Sequence, residues 1–160
     1  MSNYPSCLLT GSSGFLGIQV YKKLVSTSNV TTIGRSRKST FHCDLSQKPP
    51  AFTTPFDFIV HAAGKAHSIP KTRREAEAFY LVNYQGTLNL IRGLERLNRL
   101  PKQFIFVSTV AVYGCDQGDN IAENHPLGGD SPYAKSKILA EKAILNWCKH
   151  NSISCIILRL

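Results

Sequence analysis

Short apolar runs alternate along the chain with longer stretches whose apolar residues recur every three or four positions. The first pattern marks strands buried on both faces, and the second marks amphipathic helices. Residues 6–10 (SCLLT) read as a strand, and residues 15–26 as a helix with Leu16, Val20, Leu24 and Val25 on one side. Residues 30–34 (VTTIG), rich in β-branched side chains, form a second strand, and residues 40–43 a short third one. Pro49, Pro50 and Pro55 hold residues 47–55 in a loop. Residues 57–61 (DFIVH) are a further strand. Residues 73–97 are predicted as one long helix, with a stripe of Ala76, Phe79, Tyr80, Asn83, Leu88, Ile91 and Leu94 that Gly86 and Gly93 weaken locally. Residues 104–108 (FIFVS) form a strand, residues 114–129 a loop, residues 131–150 a helix and residues 152–158 (SISCIIL) a last strand.

This order predicts an α/β fold: a doubly wound, Rossmann-like parallel sheet with helices on both faces. Residues 1–160 suffice for one domain with a real core. The chain stops on its last strand, at Leu160, with no element to cover it, which reads as a fragment cut before a C-terminal region.

Charge narrows the partners. Nineteen Lys and Arg against ten Asp and Glu leave a formal net charge of +9, which favours anions. The basic residues (Lys22, Lys23, Arg73, Arg74, Lys135 and Lys137 among them) are scattered, and no aromatic-basic motif joins them, which argues against nucleic acid. A phosphate-bearing cofactor or substrate and a merely solvated basic surface both fit the charge. No apolar stretch approaches the length of a membrane span, and the opening MSNYPSCLLTGSSG lacks the regions of a secretory signal. A cytoplasmic protein without membrane contact is expected. Five cysteines (Cys7, Cys43, Cys115, Cys148 and Cys155), odd in number and without a C-x-x-C pair, predict reduced thiols and no metal site.

The first segment with chemistry in it is Thr10-Gly11-Ser12-Ser13-Gly14-Phe15-Leu16-Gly17, between the first strand and the first helix. Gly11 permits a positive φ at the turn, Gly14 lets a pyrophosphate approach the backbone, and Gly17 lets helix and strand pack closely. Ser13, Gly14, Phe15 and Leu16 lie at the helix start, whose free N–H groups and positive dipole end suit phosphates. A P-loop is excluded, because no Gly-Lys-Ser/Thr follows.

The spacing G-x-x-G-x-x-G after Thr10 resembles the short-chain dehydrogenase/reductase superfamily, and the match continues along the whole chain. Asp44-Leu45 is similar to the acidic segment that meets the adenine amine, and His61-Ala62-Ala63-Gly64 to the strand end beside the cofactor ribose. Val82-Asn83 with Gly86-Thr87 is similar to the V-N-x-x-G-T helix, whose Asn supports the cofactor site. Ser108-Thr109-Val110-Ala111-Val112-Tyr113-Gly114 resembles the S-[ST]-x-x-V-Y-G segment of the extended members. Tyr133-Ala134-Lys135-Ser136-Lys137 matches Y-x-x-x-K. The resemblance is to the NAD-dependent epimerase/dehydratase family, whose members act largely on nucleotide sugars. It implies a C-terminal sugar-nucleotide region that this chain lacks. It also allows a homodimer through the helices at residues 73–97 and 131–150.

Tyr133 and Lys137 stand four apart on a predicted helix and share a face. A phenol is a poor base at neutral pH, but a nearby ammonium and a cationic nicotinamide favour the phenolate. The resemblance makes Tyr133 the proton-transfer group, Lys137 its partner and a ribose ligand, and Thr109 the third hydroxyl. Ser108 is the competing choice for that hydroxyl. Family dehydratases place an Asp-Glu pair after it; here Val110 and Ala111 move no proton, which argues against water elimination. His61, His67 and Cys115 draw notice as reactive groups, but each lacks a partner in the sequence, and His61 reads as a strand end.

The second strand ends in Gly34-Arg35-Ser36-Arg37. An Asp or Glu would bind both ribose hydroxyls of NAD there, whereas Arg35 suits the 2′-phosphate of NADP. NADP is expected over NAD, the alternative being that Arg35 stacks on adenine and both are accepted. The expected function is a nucleotide-sugar C4 epimerase working through a 4-keto sugar. The alternatives are an NADPH-dependent 4-keto-sugar reductase, a dinucleotide-sensing module without catalysis, and an inactive fragment.

Overall fold

A computed structural model describes residues 4–66, 68–115 and 117–160. His67 lies outside the described residues. Six strands form one parallel sheet in the order β3-β2-β1-β4-β5-β6. They are β1 (Ser6–Thr10), β2 (Asn29–Gly34), β3 (Phe41–His42), β4 (Phe58–His61), β5 (Gln103–Ser108) and β6 (Ser154–Arg159). The chain winds outward from β1 to one edge and, from β4, to the other, so the strand order reverses between β1 and β4. This crevice at the carboxyl ends is where open α/β sheets bind ligands.

Helix α1 (Phe15–Leu24) lies on one face, where Val20 and Leu24 pack on Cys7, Leu9 and Val60. Val25, expected in that stripe, is 46% exposed, because the helix ends before it. The Ser26 hydroxyl donates to the Lys23 carbonyl (2.9 Å) and Thr27 N–H to the Leu24 carbonyl three residues back (3.0 Å), which competes with another α-helical turn. The opposite face carries the main core, in which Leu8, Ile33, Ile59, Phe104 and Phe106 of the sheet meet Leu90, Leu94, Ile144 and Trp147. On the α1 side Ile156 and Leu158 of β6 stay 39% and 40% exposed, so helices cover that face only in part.

The helix predicted over residues 73–97 is three pieces. An α-helix, α2 (Arg73–Phe79), passes into a π-helical turn (Tyr80–Gln85) and then into α3 (Gly86–Leu94). The wider turn rotates the stripe, so Leu90 is fully buried while Leu88 is only half-buried. Gly93 is a packing position. A Cβ on Gly93 would lie 2.5 Å from Cγ of Pro50, so the proline loop rests directly on this helix. Helix α4 (Pro132–His150) starts at Ser131, whose side chain accepts the Ala134 N–H (3.1 Å), and has Pro in its first turn. The last strand begins at Ser154 and not at Ser152, because Ser152 takes φ +55° in the turn out of α4.

Candidate functional site

The glycine loop sits at the crevice. Gly11 has φ +73°, and a Cβ there would lie 2.6 Å from the Ala62 carbonyl carbon and the Ala63 nitrogen. A Cβ on Gly17 would overlap the Gly11 carbonyl oxygen. Both glycines are therefore demanded by packing within the chain. Gly14 differs: its φ is −79°, it caps α1, and a Cβ would meet only the Gly11 oxygen at 3.4 Å. Among the described residues nothing requires a glycine at 14, and the space in front of it is open to a ligand. The backbone N–H groups of Phe15 and Leu16 open α1 there. Phe15 itself projects outward, 90% exposed.

Beside the loop lies a basin of about 300 Å³ lined by Ser12, Ser13, Ser36, Lys38, Ser39 and Thr40, with Tyr21 and Thr32. Among the described residues its polar groups are hydroxyls and one ammonium, with no carboxylate. Arg35 is exposed and does not line it; the basin's cation is Lys38, which the sequence reading passed over. Asp44 is half-buried, and its Oδ1 accepts from the Ser46 N–H (3.0 Å) and hydroxyl (2.7 Å), so part of its role is to hold a turn. Leu45 follows, with its carbonyl accepting from Asn89 Nδ2 (2.7 Å).

At the centre of the crevice, buried polar groups replace apolar packing. His61 ends β4, 1% exposed, between two hydroxyls: Thr10 Oγ1 at 2.6 Å from Nδ1 and Thr87 Oγ1 at 2.9 Å from Nε2. The sequence showed a histidine without a partner; the fold supplies two, from residues 51 and 26 positions away. Burial, with the Lys137 charge adding to it, holds the imidazole neutral, its pKa pulled down to about 3. Asn83, on the π turn, accepts from Lys65 N–H (2.7 Å) and donates to the Lys65 carbonyl (3.0 Å) and Ser136 Oγ (2.9 Å). It thereby clamps the segment after Gly64, where a Cβ would press to 3.2 Å from Asn83 Oδ1.

Helix α4 brings Tyr133 and Lys137 to this place. Tyr133 is half-buried, its ring 6.0 Å from that of Phe79, and it lines an open cavity of about 600 Å³ with Ser68, Ile69, Pro70, Ser131 and Pro132. Lys137 is turned further in and is 4% exposed. Its ammonium donates to the Val107 carbonyl (2.6 Å), lies 4.1 Å from the centre of the Phe106 ring, and stands behind Gly64. Burial lowers its pKa to about 8, against the opposing pull of Glu141. Among the described residues Nζ makes that one hydrogen bond, so an ammonium with three donors keeps capacity for a ligand.

The fold separates the two competing hydroxyls. Ser108 points into the sheet–α4 layer, where its hydroxyl donates to Glu141. Thr109 caps a short 3₁₀ turn (Val110–Tyr113), its Oγ1 accepting the Ala111 N–H (3.2 Å) and leaving its own proton free. Glu141, 1% exposed, also accepts from Arg159 Nη2 (2.8 Å) and Nε (3.2 Å). Arg159 in turn donates to the Tyr113 hydroxyl (2.9 Å) and the Glu123 carbonyl (2.8 Å), and the carboxylate raises the guanidinium pKa further. The sequence reading missed Glu141. Its signal was available: a carboxylate one turn past Lys137, on the face that Ala140, Ile144 and Cys148 bury.

Residues 7–160 match the profile of the NAD dependent epimerase/dehydratase family. The chain is 31% identical over 149 residues to N-acetyl-alpha-D-glucosaminyl-diphospho-ditrans,octacis-undecaprenol 4-epimerase of Escherichia coli O157:H7, covering 88% of this chain and 43% of that protein. It is 30% identical over 171 residues to UDP-glucose 4-epimerase of Vibrio cholerae, covering 96% and 50%. The fold superimposes on the UDP-Glc/GlcNAc 4-epimerase of Campylobacter jejuni with a TM-score of 0.78 at 24% identity, over 97% of this chain and 53% of that one. The chain thus spans about half the length of the curated relatives it matches. With the profile running over all but the first six residues, the chain belongs to the NAD dependent epimerase/dehydratase family.

Proposed function

We propose that residues 1–160 are the dinucleotide-binding part of a cytoplasmic enzyme that inverts C4 of a nucleotide-linked sugar, the sugar-nucleotide region lying outside these residues. The observation that carries this reading is the Lys137 ammonium buried behind Gly64, one helical turn from Tyr133 on α4, at the segment whose Ala62 and Ala63 pack against the Gly11 turn. The free thiols of all five cysteines suit a reducing compartment. A homodimer through α2–α3 and α4 belongs to the same reading, supported by Leu81, Leu139 and Leu145, which are 49%, 37% and 44% exposed.

The cradle fits a nicotinamide dinucleotide. The α1 start and the space before Gly14 suit the pyrophosphate, and the segment 62–64 with Asn83 and the Lys137 ammonium suits the nicotinamide ribose. When bound, that group supplies a reversible hydride acceptor. Tyr133 takes the proton of the C4 hydroxyl and later returns it, and the Lys137 charge favours its phenolate. Thr109, which accepts the Ala111 N–H through one lone pair, keeps its O–H to donate a hydrogen bond to the reacting oxygen. The basin around Lys38, rich in hydroxyls and free of carboxylates, supports NADP over NAD. The same basin favours a second reading, an NADPH-dependent 4-keto-sugar reductase using the same three residues once per turnover.

The test is to incubate a polypeptide containing residues 1–160 with UDP-glucose and UDP-N-acetylglucosamine and to separate the C4 epimers. Interconversion without added cofactor supports the epimerase. Loss of NADPH absorbance with a 4-keto sugar, and no interconversion, supports the reductase. Tyr133→Phe should lower either activity at least ~100-fold; an unchanged rate would remove Tyr133 from the chemistry. Lys38→Glu should shift dinucleotide preference from NADP toward NAD by about tenfold or more.

A further inference from the structure

Beneath the crevice, hydrogen counting determines the direction of every bond around His61. Thr87 Oγ1 donates to the Asn83 carbonyl (2.6 Å), so its proton is spent and it must accept from His61 Nε2. The Nε2 of the imidazole therefore carries the hydrogen and Nδ1 is bare. Thr10 then donates to Nδ1 and, with its remaining lone pair, accepts the Ala63 N–H (2.9 Å). The result is one directed chain, Ala63 N–H to Thr10 to His61 to Thr87 to the Asn83 carbonyl. The opposite tautomer leaves the Thr10 proton without an acceptor in this chain and asks the single Thr87 proton to serve two. An imidazolium fails at Thr10 for the same reason, and the nearby Lys137 ammonium opposes it.

The two ends of this chain are the two walls of the ribose-side cradle. At one end, Ala63 is held against Gly11, whose turn leaves no room for a side chain. At the other, the Asn83 carbonyl belongs to the π turn that aims the Asn83 carboxamide at Lys65. We propose that His61 is a positioning residue of the dinucleotide site: as the neutral Nε2–H tautomer it fixes the segment 62–64 and the Asn83 carboxamide relative to each other. This rests on the reading of the crevice as a dinucleotide site. His61 touches no ligand itself; it acts through Thr10 and Thr87.

Two measurements separate the parts of the claim. The first needs no ligand: ¹⁵N-detected correlation of the imidazole in the wild-type chain should show a bare Nδ1 and a protonated Nε2. A protonated Nδ1 would overturn the proposal. The second is NADP(H) and NAD(H) affinity, set beside melting temperature. His61→Leu should bind about tenfold more weakly or worse, while His61→Gln, which offers an acceptor and a donor in place of the two ring nitrogens, should recover most of the loss. Thr10→Val and Thr87→Val, on opposite sides of the ring, should each weaken binding, and the double variant less than the product of the two. Losses that multiply independently, or a folded His61→Leu chain with full affinity, would overturn it. Should the wild-type chain bind neither dinucleotide, the site reading fails while the tautomer still reports on the relay.

Discussion

At the residue scale, the crevice is built from groups whose ordinary protonation the fold opposes. Lys137 shows it most directly. Its ammonium is buried against Phe106 and the Val107 carbonyl, with a pKa of about 8 in place of 10.5. In the unfolded chain the same amine holds its proton to the higher value. Between pH 8 and 10.5 the unfolded state therefore binds more protons, and the contribution of this residue to stability rises with pH. Below pH 8 both states are protonated and the burial penalty is present in full. Unfolding free energies of the wild type and Lys137→Met, measured from pH 7 to 10.5, should diverge in favour of the wild type by up to about 1.4 kcal/mol per pH unit above pH 8. A constant difference would mean that the ammonium is not held in a penalised state. His61 carries the same logic to acid. Its neutral form is favoured in the fold down to about pH 3, so stability should fall as pH drops below 6.5, and His61→Gln should flatten that fall.

At the scale of elements, the helix over residues 73–94 shows how packing rewrites a periodic pattern. Gly86 and Gly93 read as weak points because glycine loses backbone entropy in a helix. In the fold Gly93 is where another segment presses closest on this helix, with Pro50 behind it, whereas a Cβ on Gly86 would meet Leu45 at an ordinary 3.7 Å. Gly93→Ala, stabilising in an isolated helix, should here destabilise by roughly 1–3 kcal/mol, because neither the proline ring nor its carbonyl can move aside without shifting the loop. Thermal melting of the variant checks this, and an unchanged or raised melting temperature would mean that the proline loop is loosely held. The π turn belongs to the same element. Phe79 and Asn83, four positions apart, both face inward and join an apolar anchor to the carboxamide that clamps Lys65, and the wider turn then moves the buried side from Leu88 to Leu90.

At the scale of the whole molecule, the outer half of the sheet is tied to α4 by one buried ion pair. Glu141 meets Arg159 from the end of β6 and Ser108 from the end of β5. Removing one partner leaves an uncompensated buried charge, so Arg159→Met should cost about 3–5 kcal/mol, while the double change Glu141→Leu with Arg159→Met should recover much of it. Denaturant unfolding of the three variants checks the pair, and equal losses in the single and double variants would dissolve it. The amino-acid sequence alone determined the order of the elements, the parallel sheet and the glycine turn, because these follow from local periodicity and from backbone freedoms that only glycine has. It also put Tyr133 and Lys137 on one helical face, since a separation of four residues is a property of any α-helix. Tertiary structure alone decided that the Ser108 hydroxyl is spent on Glu141, that Lys38 and not Arg35 stands in the basin, that the long helix widens at Asn83, and that His61 and Glu141 have partners. Most of those outcomes depend on contacts between residues 18 to 53 positions apart, and no periodicity along a chain records which distant groups meet when its sheet closes.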